Sequence, residues 1–298
     1  MDIDPSETSY GYIPTQSTCF VFVVLFGIST ALHLGQGVWY RMWWILPTIV
    51  LAGALECLGW AGRLWSSYSP LNDSAFMIQI VSIILGPTPL LAANFIILGA
   101  LIRLLGPVYS RLGPRVYSIV FLSCDIISLI VQGAGGGIAA SAEDGDVDGT
   151  KLGGNIMLAG ISFQLAVIVI YSIVSGEFLW RYFTDRPLRA KATNGSQATL
   201  SGIYRGDLTM KLKVMLGALA FDLLVLFIRS VYRVIELQDG WNGRIITTEV
   251  YFNVLDGAMI ILAMYTFNFA HPGLLLGRSM GKTDAVPSND SDVEMRTT

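Results

Sequence analysis

Seven stretches of mostly apolar residues govern what this chain can fold into: roughly 17–37, 45–65, 76–104, 117–140, 155–180, 211–233 and 248–270. A bilayer-crossing helix needs about 20 such residues, and in hydrocarbon the backbone must satisfy its own polar groups. The stretches therefore predict an all-α, polytopic membrane protein with seven transmembrane helices. Composition agrees, with 53% hydrophobic and only 14% charged residues, where a soluble domain carries about 25% charged. The net charge of −3 speaks against nucleic acid as a partner. Membrane lipids and amphipathic small molecules are the partners expected. Cys19, Cys57 and Cys124 all lie in apolar runs and read as packing residues, not a disulfide framework. The first 17 residues are polar and acidic without a basic start, so no cleavable signal peptide is expected.

Lys and Arg in the connections set the orientation. Fourteen fall on one side, in the first, third and fifth connections and the tail; five (Arg63, Lys151, Arg229, Arg233 and Arg244) fall on the other. The bias predicts an outside N-terminus and a cytosolic C-terminus. The expected organisation is an extracellular segment 1–16, one seven-helix membrane domain 17–277, and a disordered cytosolic tail 278–298. Asn72-Asp73-Ser74 is an N-glycosylation pattern in an outside connection, close to the membrane. The Gly/Ser/Thr-rich stretch "KATNGSQATLSGIYRGD" reads as a mobile loop. Gly86-Pro87-Thr88-Pro89 predicts a kink in the long third span. Oligomeric state is not legible here.

Two motifs are decoys. "GRSMGKT" (277–283) has three residues between its glycines where a phosphate loop needs four. "DGDVDG" (144–149) begins like a calcium loop, but its twelfth position is Asn155 where a Glu is needed. It reads as a solvated acidic loop. No metal or cofactor is expected.

The informative residues are the polar ones inside the spans. At about 100° per residue, Asp222, Arg229, Arg233 and Glu236 share one stripe of the sixth helix, about 60° wide. Glu249, Asn253 and Asp256 share one on the seventh, Asp125, Ser128 and Gln132 on the fourth, and Glu56, Gly59 and Arg63 on the second. A charge in hydrocarbon costs about 2.5–3.5 kcal/mol even on the lenient scale, so these seams should face the bundle interior and pair. Arg63, Arg229, Arg233, Glu236 and Glu249, with Gln79 and Gln132, lie toward the outer side. Glu56, Asp125, Asp222 and Asp256 lie deeper, with no equally deep Lys or Arg. The outer cluster reads equally as helix-registering ion pairs or as a functional entrance; Arg233–Glu236 is one local pair, and Arg229–Glu249 one expected link between the sixth and seventh helices. The deep acids suit a cationic or amine-bearing ligand or a proton relay, with a neutral hydrogen-bonded acid as the alternative at any single position.

In their order and spacing, "YGYIP" (10–14), "ECLGWAGR" (56–63), the run from Gln79 through "LLAANFIILGALIR", "CDIISLIVQGAGGG" (124–137), "RSVYRVIE" (229–236), Glu249, Asp256 and "HPG" (271–273) resemble the fungal RTA-like proteins. This is the lipid-translocating exporter family, with members named for resistance to aminocholesterol and for sphingoid long-chain-base release. The resemblance runs from Tyr10 to about Gly277. It implies a fungal plasma-membrane protein that exports or flips amphipathic lipids and confers tolerance to toxic ones. The family usually has Ser and Tyr where Asn94 and Phe95 stand, and an aromatic before the seventh-span acid where Val254 and Leu255 stand. Both changes are expected to face the interior and alter ligand preference. The candidate substrate-binding or translocation residues are thus Glu56, Arg63, Gln79, Asn94, Asp125, Gln132, Asp222, Arg229, Arg233, Glu236, Glu249 and Asp256.

Two other classes compete. The topology also allows a seven-helix receptor or sensor of lipid or membrane stress, although the third cytosolic loop lacks an obvious coupling signature. An intramembrane metal hydrolase would need more than His33 and His271 as nitrogen ligands or well-placed carboxylates. His271 is expected to cap the last helix at its C-terminal dipole. Without a nucleotide motif, direct ATP drive is not expected, and the chain is read as a non-enzyme.

Overall fold

The computed structural model describes residues 8, 10–141, 147–188, 205–240 and 243–277. All but the first residue of the phosphate-loop decoy, the first three residues of the calcium-loop decoy, the tail and most of the Gly/Ser/Thr-rich loop lie outside these. Among the described residues there is no strand, and seven helices are long and apolar enough to cross a membrane: Gln16–Trp39, Trp43–Tyr68, Asp73–Leu105, Pro114–Ala139, Asp148–Phe183, Met210–Asp239 and Glu249–Leu275. The chain is an integral, multi-pass membrane protein. Large apolar side chains such as Phe20, Ile119, Ile130 and Ile173 point outward, as hydrocarbon permits and water does not. The three cysteines are free thiols.

The third span is the axis of the bundle. Of its most apolar window 67% is buried, against 28% for the first and fourth spans. Small residues let neighbours approach it: Gly59 and Gly62 of the second span lie against Gln79 and Ile83, and Gly99 against the Pro114 carbonyl. The fourth and fifth spans meet backbone to backbone at Gly135, Gly153 and Gly160. The expected break falls at Gly86, where one helix ends at Leu85 and the next begins at Pro87.

Three features depart from simple helices. The fifth span starts seven residues before its expected position, because "DGTKLGGN" continues the helix instead of forming a loop. The seventh contains a π-helical turn, Asn253–Gly257, between α-helical pieces. The second opens with a 3-10 turn and a π turn around Pro47. His271 does not cap the end of the long seventh helix, which stops at Phe269; its Nδ1 instead accepts from the Gly273 N–H and caps the short Pro272–Leu275 turn. Asn72 caps the third span by accepting from the Ala75 N–H.

Candidate translocation site

The seam residues separate into three groups. The largest, the outer group expected from the sequence, gathers the second, sixth and seventh spans. Arg229 Nε lies 2.8 Å from Asp256 Oδ1, and Arg233 Nε lies 3.7 Å from the same oxygen. The first is a charge contact without hydrogen-bond alignment. Arg233 also pairs with Glu236 at 2.6 Å, and the Tyr232 hydroxyl donates to Glu236. Arg63 lies 3.7 Å from Glu249. All but Glu249 are buried.

Two expectations are corrected here. Arg229 pairs with Asp256, not Glu249, because one side chain cannot reach both: Asp256 sits two turns further along the seventh span, inside the π turn. Nor is Asp256 without an equally deep cation, since two long guanidinium arms reach inward to it.

Glu56 joins the group differently. It is fully buried, and neither carboxylate oxygen receives a hydrogen bond from a described residue. It lies against Gly86, where any Cβ would collide with its Oε1. Gln79, also buried, leaves its side-chain oxygen without a donor. Three guanidiniums (Arg63, Arg229, Arg233) thus face four carboxylates (Glu56, Glu236, Glu249, Asp256). Asp256 likewise receives no aligned hydrogen bond but touches two guanidiniums; Glu56 has neither a hydrogen bond nor an ion pair among the described residues.

The N-terminal segment seals this group. Thr15 gives its backbone N–H and hydroxyl to Glu249, at 2.9 and 2.7 Å. Arg63 donates to the Tyr12 hydroxyl. Its guanidinium lies 4.5–5.7 Å from the ring centres of Phe252, Tyr10, Tyr12 and Trp60, an aromatic box for a cation. Tyr10 also donates to Ser66, and burial pushes its hydroxyl up to about 12. Sequence reasoning did not assign Tyr10, Tyr12 or Thr15 to the site. The only available signal was "YGYIP" itself, because their partners lie 51–234 positions away.

The second group is a pair, Asn94 donating to Asp222, which ties the third span to the sixth. The third joins the third, fourth and fifth spans: Gln164 donates to Asp125 at 2.7 Å and to Thr88 at 3.4 Å and accepts from Gln132 at 3.1 Å, and Gln132 donates to Ser128. Gln164, the hub, was missed because its face of the fifth span, with Tyr171 and Ser175, carries no charged residue to mark it. Asp125 and Gln132 therefore do not adjoin the outer charged group. Of the substituted positions, Asn94 does face the interior, but Val254 is 49% exposed and faces outward. The π turn shifts the seventh span's register there.

A groove of about 640 Å³ runs between the sixth and seventh spans, walled by Phe227, Ile228, Val231, Ile235 and Leu255, with Asp239 and Arg244 also lining it. Tyr232, which also lines it, connects it to Glu236. Among the described residues no three His, Cys, Asp or Glu side chains are placed to hold a metal ion.

Comparison with known proteins gives a consistent picture. The RTA1 like protein family matches residues 49–279. The sphingoid long-chain base transporter RSB1 of Saccharomyces cerevisiae (strain JAY291) is 29% identical, over 96% of this chain and 78% of its own length. The lipid-translocating exporter-like protein RTA1 of Leptosphaeria maculans is 27% identical, over 91% of this chain and 52% of its own. Protoporphyrin uptake protein 1 of Saccharomyces cerevisiae is 24% identical, over 89% and 92%. No solved structure matches. With 231 of its 298 residues matched, including every member of the outer charged group, the chain belongs to the RTA1-like family.

Proposed function

We propose that this protein translocates amphipathic lipids with a cationic head, of the sphingoid-base kind, and so confers tolerance to toxic amphiphiles. The observation that carries the reading is the outer group's composition: four buried or half-buried carboxylates against three guanidiniums, with Glu56 undonated. An ammonium head or a proton balances that excess charge, and in a low-dielectric interior an unbalanced carboxylate is unfavourable. The groove between the sixth and seventh spans suits the tail, which stays in an apolar slot while the head reaches the charges. Relatives named as a sphingoid long-chain base transporter and a lipid-translocating exporter support the same class. They lend no support to a receptor, and nothing in the site asks for enzymatic chemistry. Export is our reading of the direction, although one relative is named for uptake.

We place the protein in the plasma membrane, with its N-terminus outside and its C-terminus in the cytosol. A reporter after Thr298 then reads cytosol and one at Asp146 reads outside; both on one side would sink that topology. The transport claim is tested by movement of a labelled sphingoid base across vesicles reconstituted with the full chain. Transport in the wild type that Glu56→Gln reduces, at equal protein content, supports the reading. Wild-type vesicles no more permeable than protein-free ones would refute it.

A further inference from the structure

The third-span break has a chemical consequence. Pro87 has no backbone N–H, so the helix leaves the carbonyl four residues earlier, at Ile83, without its usual partner. Water cannot supply one in a buried position, and Ile83 is fully buried. Arg229 does: its Nη2 donates to Ile83 O at 2.9 Å while its Nε lies 2.8 Å from Asp256. One guanidinium thus bridges the third, sixth and seventh spans. Glu56 abuts the same break, filling the space that a side chain on Gly86 would take. Both Arg229 and Glu56, the group's carboxylate without an ion pair, therefore touch the break in the central helix.

We propose that Arg229 is a positioning residue that latches the third-span hinge at Gly86–Pro87, and that an ammonium head drawn to Asp256 and Glu56 releases it. The ligand half of this statement rests on the functional reading above; the latch itself does not. The physical reason is competition. An ammonium that pairs with Asp256 or Glu56 competes with Arg229 for the same carboxylates, and Arg229 drawn off Asp256 gives up Ile83 O with it, so binding and bending become one event. A ligand shifts a conformational equilibrium only by binding the two states differently, and here the difference is whether Arg229 sits between the ligand and Asp256.

The test uses the purified full chain in lipid nanodiscs as four proteins: wild type, Pro87→Ala, Arg229→Lys and the double variant. Lysine keeps the positive charge but, as a single point donor, cannot fork between Ile83 and Asp256 as arginine does. Arg229→Lys should lower the thermal midpoint by several degrees. In the Pro87→Ala background it should lower it by less than half as much, because the backbone N–H that alanine restores takes over Ile83 O. Equal losses in both backgrounds would overturn the latch, as for two independent sites. If Arg229→Lys fails to fold alone but folds with Pro87→Ala, the latch is supported; if it fails in both, it is overturned.

The second measurement is amide exchange over residues 79–91 with sphinganine or its uncharged N-acetyl derivative added. Sphinganine should speed exchange in the wild type and the N-acetyl compound should not, whereas Arg229→Lys should exchange fast without either. Sphinganine that binds and leaves exchange unchanged overturns the release. Sphinganine that does not bind at all overturns the cationic-lipid reading along with the release, while the thermal comparison still decides the latch.

Discussion

The outer charged group and the inner Asp125–Gln164–Gln132 network solve one problem in opposite ways. Both put carboxylates among apolar helices. The inner network meets Asp125 with a neutral partner, the Gln164 amide on Oδ1, itself held by Gln132, and leaves Oδ2 without a donor among the described residues. The outer group meets its acids with guanidiniums and then leaves Glu56 over. A network without a cation holds helices together through hydrogen bonds alone. A charged one with an excess carboxylate is bistable in principle, because its balance changes when another cation arrives. On that difference we propose the outer group as the working part and the inner network as a brace.

The sharpest way to break this comparison is to neutralise one acid in each region. Asp256→Asn leaves Arg229 and Arg233 without their shared partner and should cost about 3–5 kcal/mol, the range for an orphaned buried charge. Asp125→Asn still accepts from Gln164 and should cost no more than about 1 kcal/mol. Folded yield by size-exclusion chromatography, with thermal unfolding of what survives, checks both; similar losses would erase the distinction. Asp256→Asn is therefore not a mild isosteric change, whereas Glu56→Gln breaks no ion pair or hydrogen bond among the described residues.

The seal over the outer group is the next test. Glu249→Ala removes the acceptor of both Thr15 donors and the partner of Arg63, and should cost about 1–3 kcal/mol. Its signature is local: residues 10–15 should become open to added protease while the spans remain intact. Tyr12→Phe keeps the ring over Arg63 and removes only the hydroxyl, so the loss should be about 1 kcal/mol, read in the same protease assay.

The smallest effect is one of pH. Burial pushes Tyr10 up to about 12, above its ordinary value of 10. A group raised on folding lends stability that is complete below its unfolded value and is lost as pH rises toward the folded one. Protection of residues 10–15 should therefore stay flat from pH 6 to about 9 and weaken from about 10 to 12. Tyr10→Phe should flatten most of that alkaline loss, and an unchanged profile would remove Tyr10 from the seal.

Much was legible from the residues alone. The seven spans follow from length and hydropathy, which depend on the bilayer and not on packing. The break at Gly86–Pro87 follows from proline's missing N–H. The seams placed Arg229, Arg233, Glu236 and Asp256 on interior faces because a charge has no tolerable place against lipid.

What the sequence by itself determined was which residues had to be inside. What only the tertiary structure decided was which of them meet. Pairing depends on how each helix is rotated and how deep it sits, and local spacing encodes neither. The π turn at 253–257 resets the seventh helix, turning Val254 outward and Asp256 toward Arg229. Thr15 finds Glu249 across 234 positions, and Gln164 becomes a hub only because glycines draw the fourth and fifth spans together. Hydrophobicity is summed along a chain and can be read there; a hydrogen bond or ion pair needs two groups within a few ångströms, and that distance exists only once the helices have packed.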